Sequence, residues 1–163
     1  MKIKNNKGVT LITLIITIVV IVILAAITMQ RTSNMPDKAH YTKYMQVMKD
    51  VQTGVENVKI NNARKGTTEE KLTKGFKKVN IQNAPVNFVS FDGYEETTGY
   101  IVNLETIGYE EAKYGRAYKE YESGDKVLEF GSGDSDVYVF DADWTVYYVK
   151  GLEYDNSMNY TFK

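Results

Sequence analysis

The chain has 163 residues, room for one domain of ordinary size with an extended element added. A hydrophobic share of 43% and a charged share of 25% belong to a folded protein and exclude a disordered one. Twenty basic and 21 acidic residues leave a net charge of −1, and the absence of cysteine excludes disulfides, thiolate metal sites and a cysteine nucleophile.

The charge is unevenly placed. Lys2, Lys4 and Lys7 put three positive charges into the first eight residues, with no acid among them. From Val9 onward the 17 remaining basic residues face 21 acidic ones. A body of that sign gives no support to nucleic-acid binding through a broad basic surface.

Residues 9–29, VTLITLIITIVVIVILAAITM, hold no charge, no proline and no glycine. Their polar side chains are Thr10, Thr13, Thr17 and Thr28, and a threonine hydroxyl can bond back to a carbonyl one turn earlier. A helix over these 21 residues is roughly 30 Å long, the thickness of a bilayer's hydrocarbon core. Such a helix is apolar on every side, so it lies in lipid or in a bundle of similar helices. The preceding lysines place the N-terminus in the cytoplasm. A secretory signal has a shorter apolar run and a small-residue cleavage site, which Gln30-Arg31-Thr32-Ser33 does not supply. A plain single-pass anchor fits the length and charge equally well.

The junction before the span reads Lys7-Gly8-Val9-Thr10-Leu11-Ile12, and the span ends in Ile23-Leu24-Ala25-Ala26-Ile27. Together these resemble the prepilin signal of type IV pilins and of the pseudopilins of secretion and competence systems. The resemblance is specific over roughly Lys7 to Ile27. It implies cleavage between Gly8 and Val9 by a dedicated aspartyl peptidase and methylation of the Val9 amine. It further implies a motor ATPase, an assembly platform and other pilin subunits as partners, with residues 9–29 passing from membrane anchor to filament core. Ala25 and Ala26 are small enough to let neighbouring helices approach closely. One departure stands out: the fifth residue after the cut, a glutamate in most members, is Thr13. A minority of members lack this glutamate, notably some minor subunits at the filament tip.

Beyond Met29 the chain turns polar but keeps a helical period. Tyr41, Tyr44, Met45, Met48, Val51, Gln52, Val55 and Val58 mark one face of an amphipathic helix running to about Asn61 or Asn62. Pro36 removes a backbone donor and predicts a kink or short break within residues 32–37. Thr67 and Glu70 form a capping box for a short helix. From Val79 the pattern becomes β-like, with candidate strands over Pro85–Phe91, Tyr100–Leu104, Val127–Phe130, Val137–Phe140 and Thr145–Val149. The stretch Glu105–Glu122 is mixed and admits a short helix. Asp141 to Trp144 joins the last two strands as a hairpin, and Met158–Phe162 adds an edge.

The expected architecture is α+β: a long N-terminal helix, apolar then amphipathic, packed on a C-terminal antiparallel sheet. The domains are a basic leader at 1–8, the apolar helix at 9–29, its amphipathic continuation at 30–62, and a β-rich head at 63–163 packed on 37–62.

Little in the head points to catalysis. His40 is the one histidine, so histidine-dependent zinc sites and Ser-His-Asp triads have no sequence support. Gly131-Ser132-Gly133 lacks the lysine and helix of a phosphate loop. Asp134, Asp136, Asp141 and Asp143 are the candidate calcium ligands, although aspartate and glycine are also ordinary turn formers, and no cofactor is expected. Thirteen tyrosines, Tyr147 and Tyr148 adjacent among them, suggest half-exposed strand aromatics able to form a contact surface. The sequence therefore reads as a filament subunit and not an enzyme, anchored in the cell membrane by one pass and extracellular once assembled. A tethered extracytoplasmic binding domain that never polymerises is the alternative.

Overall fold

The computed structural model describes residues 7–32, 35–93, 96–109, 115, 127–132 and 136–162; side chains in α1 and the start of α2 are described for residues 11–23 and from 37 onward. The fold is mixed α+β. It divides into two compact units, residues 1–40 and 41–163.

The first unit is dominated by α1, Lys7–Thr32. An unbroken run of β-branched and leucine side chains without glycine or proline sustains it. Its described apolar side chains are open, from 47% exposed at Val20 to 63% at Ile21. Among the described residues, no helix is long and apolar enough to cross a membrane. The next helix, α2, spans Met35–Ala63. Pro36 is its second residue, in the first turn, where a missing N–H costs nothing.

In the second unit α2 turns one stripe inward. Tyr44, Val47, Met48, Val51, Gln52 and Val55 are buried, while Lys43, Lys49 and Glu56 are exposed. Val47 belongs to this stripe although the period picked out its neighbours. A one-turn helix, α3 (Glu69–Leu72), follows. Its N-cap is Thr68, not Thr67, and no cap side chain bonds the backbone; the Thr68 carbonyl instead accepts from the Lys71 and Leu72 N–H groups.

Strands β1 (Lys77–Gln82), β2 (Thr98–Ile101), β3 (Leu128–Glu129), β4 (Tyr138–Phe140) and β5 (Val146–Tyr148) form one sheet in the order β3-β1-β2-β4-β5. The pairs β1–β2, β2–β4 and β4–β5 are antiparallel. The expectation of a wholly antiparallel sheet fails at one edge, where β3 lies parallel to β1. The long connection from β2 makes this possible, since a parallel neighbour needs a crossover of a dozen or more residues. Past β3 the sheet curls back on itself, with the Gly131 N–H donating to the Val149 carbonyl at 2.9 Å.

Two candidate strands differ from expectation. Residues 85–91 form no strand: Phe88 N–H turns back to the Pro85 carbonyl, and the segment is pinned from the side. The Tyr100–Leu104 strand starts earlier, at Thr98, and gives way to a turn at Leu104. Residues 110–114 and 116–126, most of the mixed stretch, lie outside the described residues.

The C-terminal edge is also different. Residues 157–159 form β7 (Ser157–Asn159), which pairs with β6 (Leu152–Tyr154) as a separate hairpin. Asp155 and Asn156 sit at φ 52° and 58°, the left-handed pair that a tight hairpin turn requires. This hairpin is tied to the start of the buried stretch of α2: Tyr41 stacks on Tyr154 at 4.1 Å, and Tyr44 Oη donates to the Asn159 carbonyl.

Candidate functional site

The sequence nominated two regions, the start of the apolar helix and the aspartates of the head. Gly8 and Val9 lie in the first turn of α1, Thr13 on its second turn, and Ala25 and Ala26 near its C-terminal end. Around Thr13 the described side chains are exposed, and Thr17 donates its hydroxyl to the Leu14 carbonyl at 2.8 Å. Residues 33 and 34, inside the expected kink, lie outside the described residues.

The described aspartates, Asp136, Asp141 and Asp143, are not gathered into one site. Asp134 lies outside the described residues. Asp136 Oδ1 accepts from the Gly115 N–H and from Tyr148 Oη, each at 2.7 Å. Asp143 is exposed at the turn. Asp141 is 1% exposed and serves as a hub. Its Oδ1 accepts the Thr145 N–H at 2.9 Å; its Oδ2 accepts the Val89 N–H at 3.3 Å and Tyr147 Oη at 3.2 Å. The Ala142 N–H then donates back to the Val89 carbonyl. One carboxylate thus fixes the β4–β5 turn and the 85–89 loop together. Among the described residues, no group of three or more histidines or carboxylates is arranged to hold a metal ion.

Burial pushes the Asp141 carboxyl above its usual range, against the pull of its three donors. A raised folded pKa means that its contribution to stability is full below the unfolded value of about 3.9 and is lost as pH rises through the folded one. Asp141→Asn does not titrate. Urea unfolding of the two proteins should therefore show a stability difference that moves in favour of the asparagine variant as pH is raised from about 4 toward 7. Asp141→Ala strands three donors and should cost about 1–3 kcal/mol or more near pH 4, a cost that shrinks as pH rises. A wild type that gains on the asparagine variant with rising pH would contradict this account.

The adjacent pair Tyr147 and Tyr148 is interior, whereas Tyr41, Tyr109, Tyr154 and Tyr160 are half-buried. Tyr147 and Tyr148 are each 3% exposed, on opposite faces of β5. Tyr147 packs on Phe88 and Phe130, and Tyr148 on Tyr44 and Tyr138. The curl of the sheet at Phe130 and the 85–91 loop cover the Tyr147 face and α2 covers the Tyr148 face, which alternation along β5 does not reveal.

A charged cluster went unnoticed in the sequence. Lys78 Nζ meets Asp92 Oδ1 at 2.6 Å and Glu69 Oε1 at 3.0 Å, between the rings of Phe91 and Tyr100. Partial burial works against its charge, but the hydrogen bonds to Asp92 and Glu69 win and hold its pKa above the ordinary value. A lysine held as a cation is no nucleophile, so the cluster ties α3 to β1 and the loop before β2. Only the fold brings residues 69, 78 and 92 together, and no spacing signals it.

Comparison with known proteins finds no matching family model, no similar curated protein and no similar solved structure.

Proposed function

We propose that this chain is a structural subunit of a type IV pilus or a pseudopilus-like filament, held in the membrane by α1 before assembly. The observation that carries the reading is the junction Lys7-Gly8 set directly before 21 uncharged residues, inside the first turn of a helix. The open apolar surface of α1 supports it: side chains 47–63% exposed on all sides need lipid or like helices around them. The α+β head supports it too, since α2 offers a buried face to the sheet and follows α1 after two residues. In this reading α1 supplies the apolar anchor and α2 the amphipathic helix of the domain that follows. The prepilin peptidase cuts after Gly8 and the Val9 amine is methylated. The N-terminus begins in the cytoplasm and the head ends on the filament surface, with the assembly platform and its ATPase as partners.

Intact-mass and N-terminal peptide measurements on membrane-extracted protein test this. A chain beginning at methylated Val9 is the expected result. Recovery of only the Met1 form from cells with an active prepilin peptidase would overturn it.

Thr13 favours a second reading within the same class, a minor or tip subunit. In a low-dielectric helix bundle a neighbour's N-terminal ammonium needs a counter-charge, which a hydroxyl does not provide. The expected result is few copies per filament, or a position where only one side of α1 meets another subunit. Quantitative blots of sheared filaments check this: a chain forming the bulk of the filament excludes the minor role.

A further inference from the structure

The hydroxyl of Tyr147 has one proton and two acceptors. It lies 3.2 Å from Asp141 Oδ2 and 3.1 Å from the Asn87 carbonyl. Burial, with Asp141 beside it, holds Tyr147 well above the ordinary tyrosine range, so it keeps that proton. Only one of the two bonds is made at full strength at a time, and Asp141 decides which. An ionised carboxylate is the stronger acceptor and draws the Tyr147 proton to itself, away from the Asn87 carbonyl. A protonated Asp141 instead donates from Oδ2 to Tyr147 Oη, and the Tyr147 proton turns to Asn87. Oδ2 keeps a lone pair for the Val89 N–H, and Oδ1 keeps the Thr145 N–H. The second arrangement matches every donor and acceptor of the group, whereas the first leaves the loop carbonyl over.

Asn87 and Val89 belong to the 85–91 loop, whose Val86 is fully exposed. The loop lies across the carboxylate. The Ala142 N–H donates to the Val89 carbonyl at 2.9 Å, and the Phe88 ring packs 5.2 Å from that of Tyr147. Asp141 is thereby kept from water, so an ionised carboxylate gains hydration when the loop lifts and a neutral one gains little. The charge-assisted bond from the Val89 N–H works the other way, but at 3.3 Å it is long and weak. Among the neighbouring charges, Asp143 on the same turn opposes ionisation of Asp141. Lys59 of α2 sits over the Trp144 ring, Asp92 is paired with Lys78, and the loop itself carries no charged side chain. We propose that Asp141 and Tyr147 form a proton-operated latch on the 85–91 loop, closed when the carboxyl is protonated and loosened when it is ionised. The proton comes from solvent and returns to it as the loop lifts. Burial raises the Asp141 pKa in the closed form, so the closed form's advantage is full in acid and lost as pH rises through that value. The latch is a property of the head and stands whether or not the chain polymerises.

Hydrogen exchange of the detergent-solubilised full chain tests it, with rates corrected for the intrinsic effect of pH. The Val51 and Val55 amides of the buried α2 stripe serve as reference. Relative to them, the Phe88, Val89 and Ala142 amides should exchange several-fold more slowly at about pH 5 than at about pH 7.5. Asp141→Asn does not titrate, so there the difference between the two pH values should vanish. Tyr147→Phe severs the link to Asn87, so there the difference should be clearly smaller than in the wild type. Wild-type protection that is independent of pH, or that rises toward neutrality, would overturn the latch. A pH dependence that survives unchanged in Asp141→Asn would overturn it too, by assigning the effect to another group. Survival unchanged in Tyr147→Phe would do the same, by leaving the hydroxyl without a part.

Discussion

Gly8→Trp should leave the chain in membranes only as the Met1 form, with none in sheared filaments. The reason lies at the start of α1. A peptidase must draw the scissile backbone into an extended strand, yet Lys7, Gly8 and Val9 belong to a helical first turn. The first N–H groups of a helix have no internal partner, so that turn frays most easily. Glycine lowers the cost further, by about 1 kcal/mol relative to alanine, and adds no Cβ beside the cleaved bond. Tryptophan reverses both advantages. Membrane insertion should be unaffected, because residues 9–29 are untouched, and carbonate extraction provides the control. Gly8→Ala should retain part of the processing, since a methyl group is a small obstacle. If Gly8→Trp is trimmed to Val9 at the wild-type rate, Gly8 does not define the cut and the resemblance has misplaced it.

How much of the head could be read from sequence depends on whether the signal was local. The α2 stripe was, because a 3.6-residue period follows from helix geometry alone; Tyr44, Met48, Val51 and Val55 are fully buried. The β4–β5 hairpin was local as well, with Asp141-Ala142-Asp143-Trp144 between two β-branched and aromatic runs. The stretch Pro85–Phe91 was misleading. Its apolar residues are Val86, which is fully exposed, and Phe88, Val89 and Phe91, which fasten a loop and not a strand. What decides between them is Asp141, 52 positions from Val89 along the chain, whose carboxylate takes up the Val89 N–H. The parallel placement of β3 is equally non-local: two residues paired with Ile81 and Gln82 carry no pattern of their own. The aspartates drew attention as metal ligands because their spacing suited one. Asp136 and Asp141 turn out to accept from backbone N–H and tyrosine hydroxyl groups, uses to which spacing is blind.

The same non-local logic makes Gln52→Leu the most damaging conservative change expected where α2 packs on the head. Gln52 sat on the apolar face of α2 in the sequence, an apparent polar intruder, and it is 5% exposed. Its Oε1 accepts the Val146 N–H at 2.8 Å, and its Nε2 donates to the Trp144 carbonyl at 2.8 Å. Those two backbone groups lie on the outer side of β5, the last strand of the sheet, where no further strand among the described residues pairs with them. Trp144 is held at φ 65°, a left-handed conformation uncommon for a large side chain, so its carbonyl direction has little freedom to adjust. A little further along, the Tyr148 N–H is met by the Tyr160 carbonyl at 2.7 Å. Together Gln52 and Tyr160 close an edge that would otherwise invite pairing with another chain. Leucine fills nearly the same volume but leaves one buried donor and one buried acceptor unpaired, at about 1–3 kcal/mol each, for a loss on the order of 2–6 kcal/mol. Glutamate keeps the acceptor for Val146 but sets a carboxylate against the Trp144 carbonyl and against Glu56, which now receives a hydrogen bond from Gln52 Nε2. Burial beside a second carboxylate raises the pKa of such a group, so the stability it retains when protonated is lost as pH rises. Gln52→Glu should therefore be least harmful near pH 4 and most harmful near neutrality, whereas the cost of Gln52→Leu should be nearly independent of pH. Urea unfolding of the detergent-solubilised full chain at both pH values measures this. A leucine variant within about 0.5 kcal/mol of wild type would show that water or a shifted strand replaces both bonds, and that the edge does not depend on Gln52.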